Sequence, residues 1–367
     1  MSTIAIVGGG VAGLGAAWQL ALRDHDVHLF ERHHIGDATS SRAGGMLAPV
    51  SEATFEERDL LELGLQSLEM YPRWVEQLTD ATGMELDYRR EGTLIVAVDR
   101  DDAEALERLR GYHERLDLPV ERLVGDDIHH REPGLAPSIH YALFTPNDHQ
   151  IDPAAMVRAL GRAFVDAGGQ LHEDSPVDSV IIDDDRTTGV RLDDDTEVDA
   201  DIVVIAAGAR TGDIGGIPDR ILPHIRPVRG QMLSVELGDP PLIEHVIRAP
   251  DAYLVPKSDG RILIGSTMEE RGFDPRPTAG GLFHILEGAR EAVPGIDDAH
   301  VFDVWTGFRP VSLANKPIIG PTDIDGLFLS VGHGRGGILL TPATAHGLTA
   351  CIDEGEAPDY LAPFLPG

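Results

Sequence analysis

The chain opens on a short β-branched apolar run, Thr3-Ile4-Ala5-Ile6-Val7, that meets Gly8-Gly9-Gly10-Val11-Ala12-Gly13-Leu14-Gly15 and passes into an apolar stretch from Ala16 to Leu22. A buried strand, a glycine turn and a helix are the elements this pattern predicts. Val27-His28-Leu29-Phe30-Glu31 follows as a second strand ending on an acid, 18 positions after Gly13. This order, with an acid about 20 residues beyond the glycines, is that of a dinucleotide-binding β-α-β unit. Gly8 permits the tight turn, Gly10 lets the backbone approach a pyrophosphate, and Gly13 lets helix and strand pack closely. The helix start then offers its free N–H groups to phosphates. Glu31 is placed to accept hydrogen bonds from a ribose and to repel an extra phosphate there.

Further along, Leu60, Leu61, Leu63, Leu65, Leu68, Trp74, Val75 and Leu78 recur at helical spacings among charges between Glu56 and Leu78, predicting helices that cover one face. Glu91 to Val98 reads as a strand, and Asp101 to Leu116 as an amphipathic helix with Ala105, Leu106, Leu109 and Leu116 inward. Asp152-Pro153 is an N-cap and first-turn proline, opening a helix that ends at Gly168-Gly169. Strand-like runs at 180–182, 190–192 and 202–207 are separated by the triplets Asp183-Asp184-Asp185 and Asp193-Asp194-Asp195. Without the glycine and terminal glutamate of a calcium loop, these triplets read as solvated hairpin tips. Gln231 to Val235, Ala252 to Pro256 and Arg261 to Ser266 carry the alternation of an antiparallel sheet.

At 367 residues the chain has room for about two domains. Its formal charge of -32 repels a nucleic-acid backbone or an anionic membrane surface, so nucleic-acid binding and stable membrane insertion are not expected. Only Lys257 and Lys316 are lysines, and this excess of acids over lysine is the pattern of a surface tuned to concentrated salt. Cys351 is the sole cysteine, which excludes an internal disulfide and a thiolate zinc cluster. Neither His33-His34 nor His129-His130 has ligand spacing on one helical face, and no metal is assigned. No basic segment precedes a signal-like apolar stretch, so a cytoplasmic protein is expected.

Eight stretches, in order, resemble the flavin-dependent amine oxidases of the D-amino-acid oxidase superfamily, and within it the glycine oxidases that serve thiazole synthesis in thiamine formation. They are 7–15, Thr39-Ser40-Ser41-Arg42-Ala43-Gly44-Gly45-Met46-Leu47, 201–208, 226–231, 252–256, 265–270, 307–310 and 332–342. The resemblance implies an α/β fold with a Rossmann-like FAD-binding domain, discontinuous over 1–85, 145–222 and 302–367. A substrate domain on a mainly antiparallel sheet, over 86–144 and 223–301, completes it.

By the same resemblance Gly8, Gly10, Val11, Ala12, Gly13, Glu31, Arg32, Thr39, Ser40, Gly44, Gly45, Met46 and Gly208 belong to the segments that hold FAD. Val177 is similar to a residue whose backbone touches the adenine. His333, Gly334, Arg335, Gly336, Gly337, Ile338 and Leu339 resemble the turn whose N–H groups face the pyrimidine edge of the flavin, where partial positive charge stabilises the reduced ring. Cys351 lies beyond that turn, so the FAD is expected to be non-covalent.

Arg309 resembles the arginine that pairs with the substrate carboxylate, a task suited to a guanidinium's two parallel donors. Tyr253 resembles the tyrosine that assists there, Met268 the residue that narrows the space beyond the α-carbon, and Arg335 a further arginine close to substrate. The activity implied is oxidation of glycine to its imine and glyoxylate, with oxygen as acceptor, hydrogen peroxide as product and a homotetramer as the assembly. A D-amino-acid dehydrogenase, a sarcosine oxidase-like enzyme and a non-catalytic flavin-binding protein stay open as alternatives. Asp251-Ala252 and Phe308 depart from the pattern beside Tyr253 and Arg309.

Overall fold

The computed structural model describes residues 1–367. Thr3–Val7 is the central strand of a six-stranded sheet, parallel to Asp26–Phe30 on one side and to Ile202–Ile205 on the other. Leu327–Val331 extends it in parallel, Ile318–Pro321 closes that edge antiparallel, and Gln170–His172 closes the other. These strands are apolar on both faces because both are covered. Ile4 and Ile6 pack against the helices Val11–Ala21, Arg58–Thr82, Pro153–Asp166 and Gly337–Asp353 in the larger core. Ala5 and Val7 face a three-stranded antiparallel sheet, Val177–Asp183, Arg186–Leu192 and Glu197–Asp199, through Val180 and Val190. The two aspartate triplets sit at the tips of its hairpins, as their turn chemistry predicts.

The eight-stranded second sheet runs in the order His300–Ser312, Ile225–Glu236, Arg261–Gly265, Tyr253–Pro256, Val246–Arg248, Thr93–Val96, Tyr141–Thr145, Glu121–Val124. It is antiparallel except where Val246–Arg248 pairs with Thr93–Val96. Alternation splits each strand between two faces. Leu233, Leu254, Ile262 and Ile264 face the helix Ala279–Ala292, whereas Met232, Tyr253, Val255 and Leu263 face the first unit. The long strands Ile225–Glu236 and His300–Ser312 pair along their whole length and join the units, since Ile225 lies in the core of one and Leu233 in that of the other. Residue 302 falls inside this paired strand.

Two local expectations need correction. The segment after Glu56 is one helix of 25 residues, Arg58–Thr82, that runs through Pro72. Pro72 has no N–H, so the Leu68 carbonyl one turn back lacks its helical donor, while the proline ring itself is exposed. In the helix Arg100–Arg115 the inward face carries Leu106, Tyr112 and His113, while Ala105 is exposed, because 105 falls off a stripe of period 3.6.

Candidate active site

The glycine turn has the geometry its residues require. Gly8 sits at φ 114°, and a Cβ there would come 2.5 Å from the Ala206 carbonyl oxygen at the end of the neighbouring strand. A Cβ on Gly13 would lie 2.0 Å from the Gly8 carbonyl oxygen, so helix and turn approach as only glycine allows. The Glu31 carboxylate reaches back across the turn and accepts from Gly9 N at 2.8 Å. Ser175 N donates to the Glu31 carbonyl, which brings Val177 to the same corner. Arg32 is exposed beside it, and Gly208 opens the short helical turn Gly208–Asp213 after the strand that abuts Gly8. The helix Val11–Ala21 has Gly10 as N-cap with no side-chain cap, so its dipole and the N–H groups of Ala12 and Gly13 are open to an anion. Val11 N donates to Ser40 Oγ at 3.1 Å, joining this turn to the segment 39–46.

That segment forms one wall of a space whose other wall is the second sheet. Thr39 Oγ1 donates to the Phe308 carbonyl at 2.8 Å and accepts from Phe308 N at 3.1 Å. Trp305 Nε1 donates to the Arg42 carbonyl. Gly44 lies against the Tyr253 ring, with 2.9 Å between a notional Cβ and Tyr253 Cε2. Met46 packs with Tyr253, Trp305 and Met232. Gly45, at φ 82°, lies against the carbonyl of Ile151, whose N–H donates back to Gly45 O.

Arg309 and Tyr253 share the sheet face directed at this wall. Register explains it: Arg309 is opposite Val228, Gly307 opposite Gly230, and Tyr253 opposite Gly265. Opposed residues point the same way, and the glycines leave room for the two side chains to lie along the sheet. The guanidinium rests on Gly230 and the phenol on Gly265, each within 3 Å of a notional Cβ. Arg309 Nη1 donates to the Thr267 carbonyl at 3.1 Å and Nη2 to Ser266 Oγ. Both acceptors are neutral, so this half-buried cation carries no counter-charge of its own. The Tyr253 hydroxyl meets only Met232 Sδ, at 3.5 Å.

The turn 333–339 closes the space from the end of the same strand. Gly334 N donates to the Pro310 carbonyl at 2.9 Å, one residue beyond Arg309. His333 is buried, with Nε2 3.1 Å from Thr344 Oγ1, and burial lowers its pKa to about 4, so it stays neutral at neutral pH. The helix Gly337–Asp353 begins after Gly336, leaving the N–H groups of Gly337, Ile338 and Leu339 without a capping side chain. Arg335, expected close to substrate, is ion-paired within the protein. It pairs with Glu57 at 2.5 Å and Glu52 at 3.3 Å, so it pins the segment 52–57 over the turn. Burial would raise Glu57, but the hydrogen bond and charge of Arg335 outweigh it and hold its carboxyl low.

Met268 is 74% exposed and lines an open cleft of about 470 Å³ whose wall includes Ser266 and Thr267, the two residues that hold Arg309. Ser266 and Thr267 fall in the matched stretch 265–270, but only the register reveals that they hold Arg309. Lys257, on the Tyr253 face of the same strand, is unmarked except as one of two lysines. It is buried, donates to Ile151 O at 3.0 Å and Gln150 Oε1 at 3.2 Å, and has its pKa lowered to about 8 by burial. It therefore ties the sheet to the backbone behind Gly45.

The uncapped helix starts, the glycine cradle and the Glu31 carboxylate fit a dinucleotide lying between the units. Residues 3–351 match the family of FAD dependent oxidoreductases, and the chain belongs to that family. Within it the chain is similar to the glycine oxidase of Geobacillus kaustophilus, at 34% identity over 98% of this chain and 95% of the relative. The crystal structure of glycine oxidase from that organism superposes with a TM-score of 0.93 at 32% identity, covering 100% of this chain and 99% of the other. The bifunctional protein ThiO/ThiG of Trichormus variabilis is 31% identical over 98% of this chain, which spans 54% of that longer protein. Iminodiacetate oxidase of Chelativorans sp. BNC1 has the same fold, with a TM-score of 0.90 at 27% identity over 99% of this chain and 98% of the other. Cys351 is 14 residues into the last helix, about 21 Å along its axis from the site, so no thiol is within reach of a bound flavin.

Proposed function

We propose that this chain oxidises glycine, with Arg309 as the carboxylate-binding residue. The observation that carries the reading is a half-buried guanidinium with neutral partners only, on the sheet face that the cofactor segments cover. A guanidinium has five N–H donors, and two of the Arg309 donors are used by Ser266 and Thr267, which leaves a fork for a carboxylate. Bound FAD supplies a two-electron acceptor. The chain's own work is positioning: Arg309 fixes the carboxylate, the Tyr253 hydroxyl offers a further donor, and the wall at Gly44 and Met46 sets how deep the α-carbon lies. Met268, at the cleft side, limits the room for a side chain on that carbon.

In net terms glycine gives up two electrons and two protons, the imine is hydrolysed to glyoxylate and ammonia, and oxygen becomes hydrogen peroxide. Supply of thiazole synthesis in thiamine formation, a cytoplasmic location and a homotetrameric assembly complete the reading. It is supported by full-length similarity to a glycine oxidase and by similarity to about half the length of a ThiO/ThiG protein. No helix is long and apolar enough to cross a membrane. We further propose that Arg335 acts by holding the flavin-facing turn, and that the units divide as 1–85, 145–222 and 302–367 against 86–144 and 223–301. The test is stoichiometry: holoenzyme with glycine should consume one oxygen per glyoxylate and per ammonia formed, with catalase returning half the oxygen. Ammonia without oxygen uptake would overturn the oxidase reading.

A further inference from the structure

The cleft beside Arg309 carries two carboxylates in different states. Glu269 is neutralised: Arg229 donates to its Oε2, Gln231 Nε2 donates to Oε1 at 2.5 Å, and although burial would raise its pKa, these partners hold it low. Asp251 is not. Its side chain is 59% exposed and accepts no hydrogen bond, and the His284 ring beside it is 3.8 Å away and itself more than half exposed. Its base is packed, because Gly288 of the helix Ala279–Ala292 lies against it, with only 2.9 Å between a notional Gly288 Cβ and Asp251 Cβ. The cleft thus has a negative charge on its rim and the anchor for Arg309, through Ser266, on its wall.

We propose that Asp251 sets the charge selectivity of this site: it rejects amino acids that carry a second carboxylate beyond the reacting carbon or nitrogen, and accepts those that carry a cationic group there. The inference rests on the reading of Arg309 as the carboxylate anchor. With the first carboxylate held at Arg309, a substituent on the amine or the α-carbon extends toward the cleft, where a second anion meets Asp251 and an ammonium is attracted to it. At the separations and partial exposure of such a cleft, one unit charge is worth about five- to tenfold in apparent affinity at low salt, and less as salt screens it.

The experiment compares iminodiacetate with N-(2-aminoethyl)glycine, each referred to glycine, as kcat/KM in the holoenzyme and in Asp251→Asn. The wild type should favour the cationic over the anionic analogue by about 25- to 100-fold, since the two differ by two unit charges, and Asp251→Asn should shrink that ratio by a similar factor. The preference should also fall as salt is raised. Asp194→Asn, at a distant hairpin tip, should leave the ratio as in wild type and so separates a local effect from the overall charge of the chain. Equal use of the two analogues by the wild type, or a ratio that Asp251→Asn does not move, overturns the proposal. Failure of glycine turnover would instead count against the glycine-oxidase reading. The same ratio is then taken from dissociation constants of the two analogues, followed by perturbation of the flavin absorbance, so the selectivity is decided separately.

Discussion

Arg309→Ala is the perturbation that bears most on the site. Two guanidinium donors are engaged by Thr267 O and Ser266 Oγ, which leaves three of five for a ligand. Two of these can meet a carboxylate, and hydrogen bonds to charged groups contribute about 1.5 to 3 kcal/mol each. Their loss therefore costs about 3 to 6 kcal/mol, or roughly 10² to 10⁴ in kcat/KM for glycine. Arg309→Lys keeps the charge without the fork and should recover about tenfold of that loss. The assay is anaerobic flavin reduction in a rapid-mixing instrument, with glycine varied, and with ethylamine as an amine that has no carboxylate. Glycine should become a far weaker substrate, while the slow reaction of ethylamine changes little. Glycine kcat/KM within threefold of wild type in Arg309→Ala, at normal flavin content, would refute the assignment.

Tyr253→Phe removes a hydroxyl whose only hydrogen-bond partner in the protein is Met232 Sδ, at 3.5 Å, so thermal stability should hold to within about 1 kcal/mol while kcat/KM for glycine falls about tenfold; steady-state kinetics beside a melting curve checks both. Gly13→Ala places a Cβ 2.0 Å from the Gly8 carbonyl oxygen, and the forced shift, costing about 1 to 3 kcal/mol, should weaken FAD binding at least tenfold as measured by flavin release on dilution. His333 should make the fold acid-sensitive. Its pKa falls from an ordinary 6.5 to about 4 on burial, so the unfolded chain binds the proton more readily, and the stability present above 6.5 is lost as pH falls towards 4. The loss is at most about 3 kcal/mol, and denaturant melts between pH 4 and 7 should show a shallower pH dependence for His333→Gln.

The cofactor half of the site is legible in the sequence because its demands are local. A tight turn, a close helix–strand contact and a carboxylate at the end of the next strand each require a residue type within one stretch, as at Gly8, Gly13 and Glu31. Asp152-Pro153 is legible for the same reason: Asp152 caps Ala155 N at 2.6 Å across three residues. The substrate half is non-local. Tyr253 and Arg309 can be matched to a family, but the partners of Arg309 depend on where Gly265 falls against Met232 and Arg309 against Val228. Asp148 shows the same limit. It is buried, accepts from Val50 N at 3.1 Å and Ser51 N at 2.6 Å, and has its pKa raised to about 6 by burial, yet nothing near it in sequence marks it as the anchor of the segment that carries Glu52 and Glu57. The ion pairs of Arg335 are illegible for a related reason, since its two acids come from a segment far away in the chain.

An anaerobic titration of the purified holoenzyme with glycine, followed in the visible absorbance of the flavin, tests the central claim most directly. The account predicts that glycine bleaches the absorbance to completion and that admitted oxygen restores it with formation of hydrogen peroxide. A sample that contains FAD and is bleached by dithionite, but not by glycine at any concentration, would contradict it.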